Sequence, residues 1–578
     1  MDLREHPRPT CARASWTSLD GDWEFTDGVL DDDPPALAYG ERIRVPFPPE
    51  SDASGIGRAV CEHPRYRRTF TADPAGGRVL LHFGAVDHDC RVWVNGHRVA
   101  EHSGGYTPFA CDVTDALVPG ANELVVAADD PMADLEIPRG KQDWQERPHV
   151  IWYGRSSGIW RSVWLEVVPA VRVDTLVWTP LDAAGLLAGE VRFHGDAAGL
   201  DVECAFSLAG TPIGRVRQRV AGASAEFSVR LGGRGVDVED LLWTPDHPTL
   251  VDVRVRLLDG RRVVDEVASY TGLRTIGAES GAILLNGRAF FCRLVLEQAY
   301  WPASHFTPPD AGACRAEAHL IKALGFNGLR LHQTTADPRF LRACDEFGLV
   351  VWADAPASYR FSGAAFARAS RMWLELIERD RNHPSVIAWV PYNESWGVDA
   401  VASDERQRWA VRALHATARA LDPTRLVLGN DGWEYVVGDV VGVHDYSHAP
   451  ADLTARYGSR DAVASTLRRW RPSGRPAVVS APEVGEPDLS RVPVVLSEFG
   501  GVSLDSDAEA WSGYGAVRDP DTLLARLDAL VGAVRAGSGL AGYCYTQLTD
   551  TLQEQNGLVH ADRTPKASVE RLAEIFGR

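Results

Sequence analysis

The chain has 578 residues, 45% of them hydrophobic and 24% charged, with a formal net charge of -19. That composition is one of an ordinary globular protein long enough for three or four domains. A balance this acidic argues against phosphate-backbone binding and against an anionic membrane surface, both of which attract cationic patches. The start, Met1 to Pro7, is polar and leads into no apolar run, and no uninterrupted apolar stretch reaches membrane-spanning length. The expectation is a cytoplasmic protein without nucleic-acid or membrane partners. Nine cysteines are scattered with no Cys-x-x-Cys pair, so buried free thiols are expected rather than a zinc site or a disulfide framework.

Residues 1–170 read as all-β. Alternating runs such as Cys90 to Val94 and Glu123 to Ala127 are separated by turn signals, among them Asn95-Gly96 and Pro119-Gly120. Residues 171–276 form a second β region. Glu190 to Phe193, Ala225 to Val229 and Val251 to Leu257 alternate at period two, as strands of an immunoglobulin-like sandwich do.

From residue 277 to 578 strands alternate with helices. Strands are expected over Phe290 to Leu296, Asn327 to His332, Leu349 to Ala355, Val386 to Glu394, Leu426 to Asn430, Val440 to Tyr446, Val494 to Gly500 and Leu540 to Thr546. Helices are expected over Ala311 to Leu324, Pro338 to Phe347, Ala364 to Arg381, Val401 to Leu421 and Pro520 to Ala536. Eight such units over this length predict a (β/α)8 TIM barrel, with an open sheet as the alternative.

A barrel binds ligands at the carboxyl ends of its strands, and that is where the polar residues gather. Strand two ends in Arg330 and His332, strand three in Asp354, strand four in Asn393 and Glu394, and strand five in Asn430 and Asp431. Strand six ends in His444, Asp445 and Tyr446, strand seven in Glu498, and strand eight in Thr546, Gln547 and Asp550. The rim suits a polyhydroxylated ligand, and Trp301, Trp396, Trp433, Tyr446, Trp511 and Tyr514 are candidates to stack on a sugar ring. Glu394 and Glu498 end two apolar strands that face each other across the mouth. Two carboxyl groups about 5 to 5.5 Å apart there suit retaining glycoside hydrolysis.

The order of several motifs then resembles glycoside hydrolase family two, the β-galactosidases, β-glucuronidases and β-mannosidases. Leu19-Asp20-Gly21-Asp22-Trp23, Tyr66 to Phe70 and Ser157 to Glu166 are similar to that family's jelly-roll domain, Trp243-Thr244-Pro245 to the end of its second sandwich, and Arg381 to Ser385 to its lead into the acid/base strand. The resemblance implies Glu394 as general acid/base, Glu498 as nucleophile, Asn393 on the sugar 2-hydroxyl and Tyr446 orienting the nucleophile. It implies no cofactor, and no ligand cluster matches the structural magnesium of some relatives.

An ionised Glu498 is expected to raise the pKa of Glu394 by like-charge repulsion and keep it protonated. Arg330, Asp354, His332, His444, Trp433, Trp396 and Gln547 are further candidates for substrate binding. β-Glucuronidases are expected to carry an Asn-x-Lys pair before the Asp562-Arg563-Thr564-Pro565-Lys566 segment, whereas this chain has Glu554 and Asn556. An acid there would repel a glucuronate. The expectation is a retaining exo-β-glycosidase on a terminal neutral sugar, β-galactosidase-like. A β-galactofuranosidase, an α-L-arabinosidase, a β-mannosidase and a non-catalytic carbohydrate-binding protein are the alternatives. A homo-oligomer in which one sandwich completes a neighbour's active site is a further expectation.

Overall fold

The computed structural model describes residues 2–30, 33–232, 237–482, 485, 489, 491–504, 514–537 and 539–578. The first region is a sandwich of two antiparallel sheets. One orders Trp16–Ser18, Val163–Val168, Arg78–Phe83 and Phe109–Asp112, the other Glu41–Val45, Gly21–Asp27, Pro64–Thr71, Ala121–Asp129, Asp89–Val94 and His97–Ser103. Alternation decides which face is inward: Cys90, Val92 and Val94 are buried while Asp89, Arg91 and Trp93 are not. Trp23, Phe25, Tyr66, Leu81, Val92 and Val126 meet between the sheets.

The second region has seven strands in two sheets: Arg172–Pro180, Leu186–His194 and Ser224–Arg230 against Thr211–Arg219, Asp201–Leu208, Val251–Asp259 and Arg262–Thr271. It is clasped to the barrel by Asn382, whose Oδ1 accepts from Trp178 N at 2.9 Å and whose Nδ2 donates to Leu176 O at 2.6 Å.

The third region holds eight parallel strands: Cys292–Glu297, Gly328–Leu331, Val350–Asp354, Val386–Val390, Leu426–Val427, Val441–Asp445, Val494–Gly500 and Gly542–Thr546, here strands one to eight. They pair in the order five, four, three, two, one, eight, seven, six, so the barrel expectation holds. Phe290, expected to open strand one, lies instead in an antiparallel unit of Ile276–Glu279, Ala282–Leu285 and Arg288–Phe290. Ile283 of this unit is buried among Cys292, Val350, Leu426, Val440 and Val495, and so covers the amino ends of the strands.

Four of the expected helices begin within one residue of their predicted starts: Ala311–Ala323, Pro338–Phe347, Gly363–Asp380 and Pro520–Arg535. The other starts later, at Glu405–Leu421. Each start has an Asp or Ser side chain that accepts from the first turn, as Asp310 does from Ala313 N at 2.7 Å. Two helices between strands six and seven were not expected, Pro450–Tyr457 and Arg460–Arg469, nor was the single turn Val238–Leu241 in the second region.

Strand five is two residues long, and among the described residues no ladder joins it to strand six. The side chain of Asp431 bridges this seam. Its Oδ1 accepts from Ser497 Oγ at 2.8 Å, and its Oδ2 lies 3.1 Å from His444 Nε2 and 2.7 Å from Arg330 Nη1. Gly442 makes room for it, since a Cβ there would stand 1.4 Å from Asp431 Oδ1.

Residues 130–157 of the first sandwich reach across the barrel mouth. Arg139 N and Gly140 N both donate to Ala357 O at 3.0 Å beyond strand three. At the far side Tyr153 OH donates to Glu554 Oε2 at 2.5 Å and Gln553 Nε2 donates to Trp152 O at 2.8 Å beyond strand eight. The sandwich of the same chain therefore reaches the mouth that a neighbour's sandwich was expected to complete.

Candidate active site

Glu498 lies inside strand seven where the ladder slips: Val443 pairs with Leu496 and His444 with Glu498, so the strand bulges at Ser497. Its Oε1 accepts from Arg330 Nη1 at 3.0 Å and its Oε2 from Tyr446 OH at 2.6 Å. Tyr446 is held in turn by Thr546 Oγ1 at 3.2 Å and by stacking on Tyr514, centroid to centroid 3.6 Å. The phenol therefore points at one carboxylate oxygen while the guanidinium holds the other.

Glu394 is placed differently. It follows the end of strand four, and both Glu394 and Ser395 adopt left-handed backbone, with φ of 51° and 58°. Such conformations cost about 1 to 3 kcal/mol each for non-glycine residues and persist only where the surroundings enforce them. Enforcement comes from strand five's extension: Glu394 N donates to Asp431 O at 2.9 Å, Ser395 N to Asn430 Oδ1 at 3.1 Å, and Ser395 Oγ to Glu434 Oε2 at 2.5 Å. The consequence is a carboxylate aimed into the mouth, its side chain 17% exposed against 7% for Glu498.

His444 stands between the two. Its Nδ1 lies 2.7 Å from Glu394 Oε1, and its Nε2 lies 3.1 Å from Asp431 Oδ2 and 3.4 Å from Glu498 Oε1. Burial opposes its charge, but the Glu498 carboxylate and the hydrogen bonds to Asp431 and Glu394 prevail and push it up to about 10. An imidazolium donates from both nitrogens, which matches three acid partners. Glu394, Glu498 and His444 offer atoms all within 4.8 Å of one another. Arg330 Nη1 also lies 3.2 Å from His444 Nε2, so a fixed cation already stands beside that trio.

This geometry corrects the expectation for Glu394. Burial does act to raise its carboxyl, but the hydrogen bond and charge of His444, with Lys141 and Arg330, outweigh burial and the net direction is downward. Like-charge repulsion from Glu498 does not dominate because a cation lies between the acids.

Arg330, expected among the sugar ligands, is wholly buried and engaged by the protein. Nε and Nη2 bind Asp354 at 3.0 and 2.8 Å, and Nη2 also donates to Asn393 Oδ1 at 2.6 Å. It is a positioning residue. The bond to Asn393 turns that amide so that Nδ2 faces away from the guanidinium as a donor. Asp354 is likewise engaged, by Arg330 and by His332 Nδ1 at 3.1 Å; burial pushes its carboxyl up to about 6 against the opposing pull of Arg330. Burial, then the charges of Lys141 and Arg330, hold His332 well below the ordinary histidine range.

Gln547 is tied to Gln298 at 2.8 Å and to Asn556 at 2.7 Å. Trp433 packs edge-on to His444 at 5.8 Å, and its buried Nε1 has no partner among the described residues, which leaves a donor for a ligand. Trp396 belongs to a cluster with Trp152 at 5.6 Å and Tyr359 at 5.2 Å, and Trp301 is capped by the Arg563 guanidinium at 4.9 Å. Trp511 lies outside the described residues.

Glu554 also differs from expectation. Its Oε2 accepts from Tyr153 and its Oε1 from Asn556 Nδ2 at 3.2 Å, and burial raises its carboxyl. It is an anchor for the sandwich loop. Sequence reasoning missed Lys141, Tyr153 and Ser497. Asp431 was placed at its strand end without a role. Lys141 and Tyr153 had one signal, the length of residues 130–157, since long connections in compact domains are commonly functional.

Two family descriptions match the chain: "Glycosyl hydrolases family 2, TIM barrel domain" over residues 279–478 and "Glycosyl hydrolase 2 galactose-binding domain-like" over residues 55–160, together more than half of it. The chain belongs to glycoside hydrolase family two, whose members are glycoside hydrolases. The barrel match includes Glu394 and ends before Glu498.

Among relatives, the chain is 30% identical to a β-galactosidase of Thermoanaerobacter pseudethanolicus over 57% of this chain and 44% of that protein. It is 29% identical to a putative β-glucuronidase of Formosa agariphila over 60% of this chain and 41% of that one. The chain spans less than half the length of these relatives. In fold it is similar to the Bifidobacterium dentium β-glucuronidase complexed with coumarin-3-O-glucuronide (TM-score 0.78, 21% identity, 98% of each chain covered). It is also similar to the Eisenbergiella tayi β-galacturonidase bound to galacturonate (TM-score 0.73, 21% identity, 98% of each chain covered).

Proposed function

We propose that this family-two chain is a retaining exo-β-glycosidase working by double displacement, with Glu498 as nucleophile and Glu394 as general acid and base. The observation that carries the reading is the pair of carboxylates from opposite sides of the mouth, within 4.8 Å of each other. Inverting enzymes hold theirs about 6.5 to 9.5 Å apart to admit a water, so this spacing favours direct attack.

In the first step a Glu498 oxygen bonds to the anomeric carbon while the bond to the aglycone oxygen breaks, and that oxygen takes a proton from Glu394. The proton has a source 2.7 Å away: His444 Nδ1 faces Glu394 Oε1 and hands it over as the leaving oxygen comes within reach. Asn393 Nδ2 donates to the sugar 2-hydroxyl. In the second step water attacks the glycosyl ester, Glu394 takes the water's proton and returns it to His444, and Glu498 leaves as a carboxylate.

Two glycones fit the rim. A neutral β-galactoside-like sugar is supported by the Asn393 and Trp433 donors and by the β-galactosidase among the relatives. A hexuronide is supported by the relatives and neighbours named β-glucuronidase and β-galacturonidase. The test is a panel of nitrophenyl glycosides, with the product's anomer followed by NMR. Release with the β-anomer formed first is expected. An α-anomer formed first, or no release from any β-hexoside, hexuronide, furanoside or α-L-arabinoside, would overturn the reading.

A further inference from the structure

The chain has three lysines, Lys141, Lys322 and Lys566, in a sequence that otherwise uses arginine for its cations. Two have evident structural work. Lys322 Nζ donates to Pro245 O at 2.6 Å and Gly348 O at 3.0 Å, and Lys566 Nζ binds Asp550 Oδ1 at 2.6 Å. Lys141 is 5% exposed, and among the described residues its Nζ has no hydrogen-bond or ion-pair partner.

Its backbone is built to hold it there. Gly140, before it, has a φ of 57° and approaches so closely that a Cβ would stand 1.9 Å from Gln333 O. Lys141 O accepts from Tyr153 N at 2.8 Å, and the Gln142 side chain is fixed by Asp87 Oδ2 at 2.8 Å, Tyr106 OH at 2.9 Å and Ser156 N at 2.7 Å. Nζ lies 6.0 Å from the ring centroid of Tyr153, the residue whose hydroxyl holds Glu554. Gly140 abuts Gln333 O beyond strand two and Tyr153 reaches Glu554 beyond strand eight, which places Lys141 at the mouth between them, where its charge acts on Glu394, His332 and Glu554.

The stem of Lys141 is buried while its ammonium opens to the mouth, where water alone compensates the charge until an anion enters beside it. The nearby acids do not take that part: Glu394 is bound by His444, and Glu554 by Tyr153 and Asn556. Resting on the glycosidase reading above, we propose that Lys141 is the specificity-determining residue of the glycone site, delivered by the sandwich loop, and that it binds the carboxylate of a terminal hexuronic acid. A hydroxyl of a neutral sugar accepts a hydrogen bond there but leaves the charge uncompensated, so the wild type discriminates in favour of the uronide.

The test has two arms. In the first, kcat/KM is measured for nitrophenyl β-D-glucuronide and β-D-galacturonide against the β-D-glucoside and β-D-galactoside, in wild type, Lys141→Met and Lys141→Arg. The uronides are expected to be the better substrates. Lys141→Met is expected to lower uronide kcat/KM by on the order of 100-fold, chiefly through KM and at least about tenfold more than for the neutral sugars, with partial recovery in Lys141→Arg.

In the second arm, calorimetry with Glu498→Gln protein compares free glucuronate and galacturonate with glucose and galactose, with and without Lys141→Met. Tighter uronate binding that depends on Lys141 is expected. Uronate binding through Lys141 with no glycoside hydrolysed would leave this proposal standing and remove the catalytic reading. Preferred binding or turnover of the neutral sugars, or a uronide-to-neutral ratio that Lys141→Met does not move, would overturn it.

Discussion

The two glutamates at the mouth sit on backbones of opposite character. Glu498 stays within an extended strand that bulges at Ser497, its carboxylate gripped at both oxygens by Arg330 and Tyr446. Glu394 rides on two consecutive left-handed residues beyond a strand end and faces His444, which its acid partners push up to about 10. The difference follows from what each must do. A nucleophile needs a fixed trajectory, which an extended strand and two donors supply. An acid that becomes a base within one cycle needs a partner that can share a proton with it, and a position open enough to meet both leaving group and water.

Removing each carboxylate is the strongest way to test that contrast. Glu498→Gly is expected to lose turnover altogether and to regain it with azide, giving a glycosyl azide of inverted configuration. Glu394→Gly is expected to lose about 10²- to 10⁴-fold on substrates with poor leaving groups and much less on activated aryl glycosides, with azide yielding a product of retained configuration. Azide products with these configurations exchanged would show the roles reversed.

A smaller effect separates gripping from chemistry. Tyr446→Phe keeps the stack on Tyr514 but removes a hydroxyl 2.6 Å from Glu498 Oε2. Loss of one hydrogen bond to a charged group, about 1.5 to 3 kcal/mol, predicts a fall in kcat of roughly 10- to 100-fold. A change confined to KM would show that the phenol binds substrate and does not position the nucleophile.

Most of the barrel, and both glutamates, were legible because they rest on local patterns: apolar runs of strand length, helix starts marked by Asp and Ser, and a polar residue where each run stops. Strand five was legible only as a start. Its pairing ends after Val427, and the seam it leaves is closed by Asp431 through contacts with Ser497, His444 and Arg330 that no local pattern encodes. Lys141 was hidden for the same reason. Residues 130–157 have no periodicity, and their meaning lies in contacts with residues more than two hundred positions away, at Ala357 and Glu554. Glu554 was legible as a charge, and its contacts with Tyr153 and Asn556, which make it an anchor as well, were not.

The subtlest test of the contrast is a shift in a pH profile. If His444 holds Glu394 below its ordinary range, replacing the imidazolium by a neutral amide in His444→Gln removes the main lowering influence while burial, which raises the carboxyl, remains. The pKa of Glu394 in the free enzyme then rises, but the proton is no longer stored on an imidazolium held up to about 10, so the alkaline limb of kcat/KM moves to lower pH even as the maximum falls.

The stability curve moves in a linked way. A histidine raised from 6.5 to about 10 in the folded state contributes stability fully present below pH 6.5 and lost as pH rises through 10. The wild-type Tm is therefore expected to decline between pH 7 and pH 10 more steeply than that of His444→Gln, as measured by calorimetry across that range. Parallel Tm curves would mean that His444 is neutral in the folded protein. The proton Glu394 donates would then have to come from solvent, and the two glutamates would differ in backbone alone.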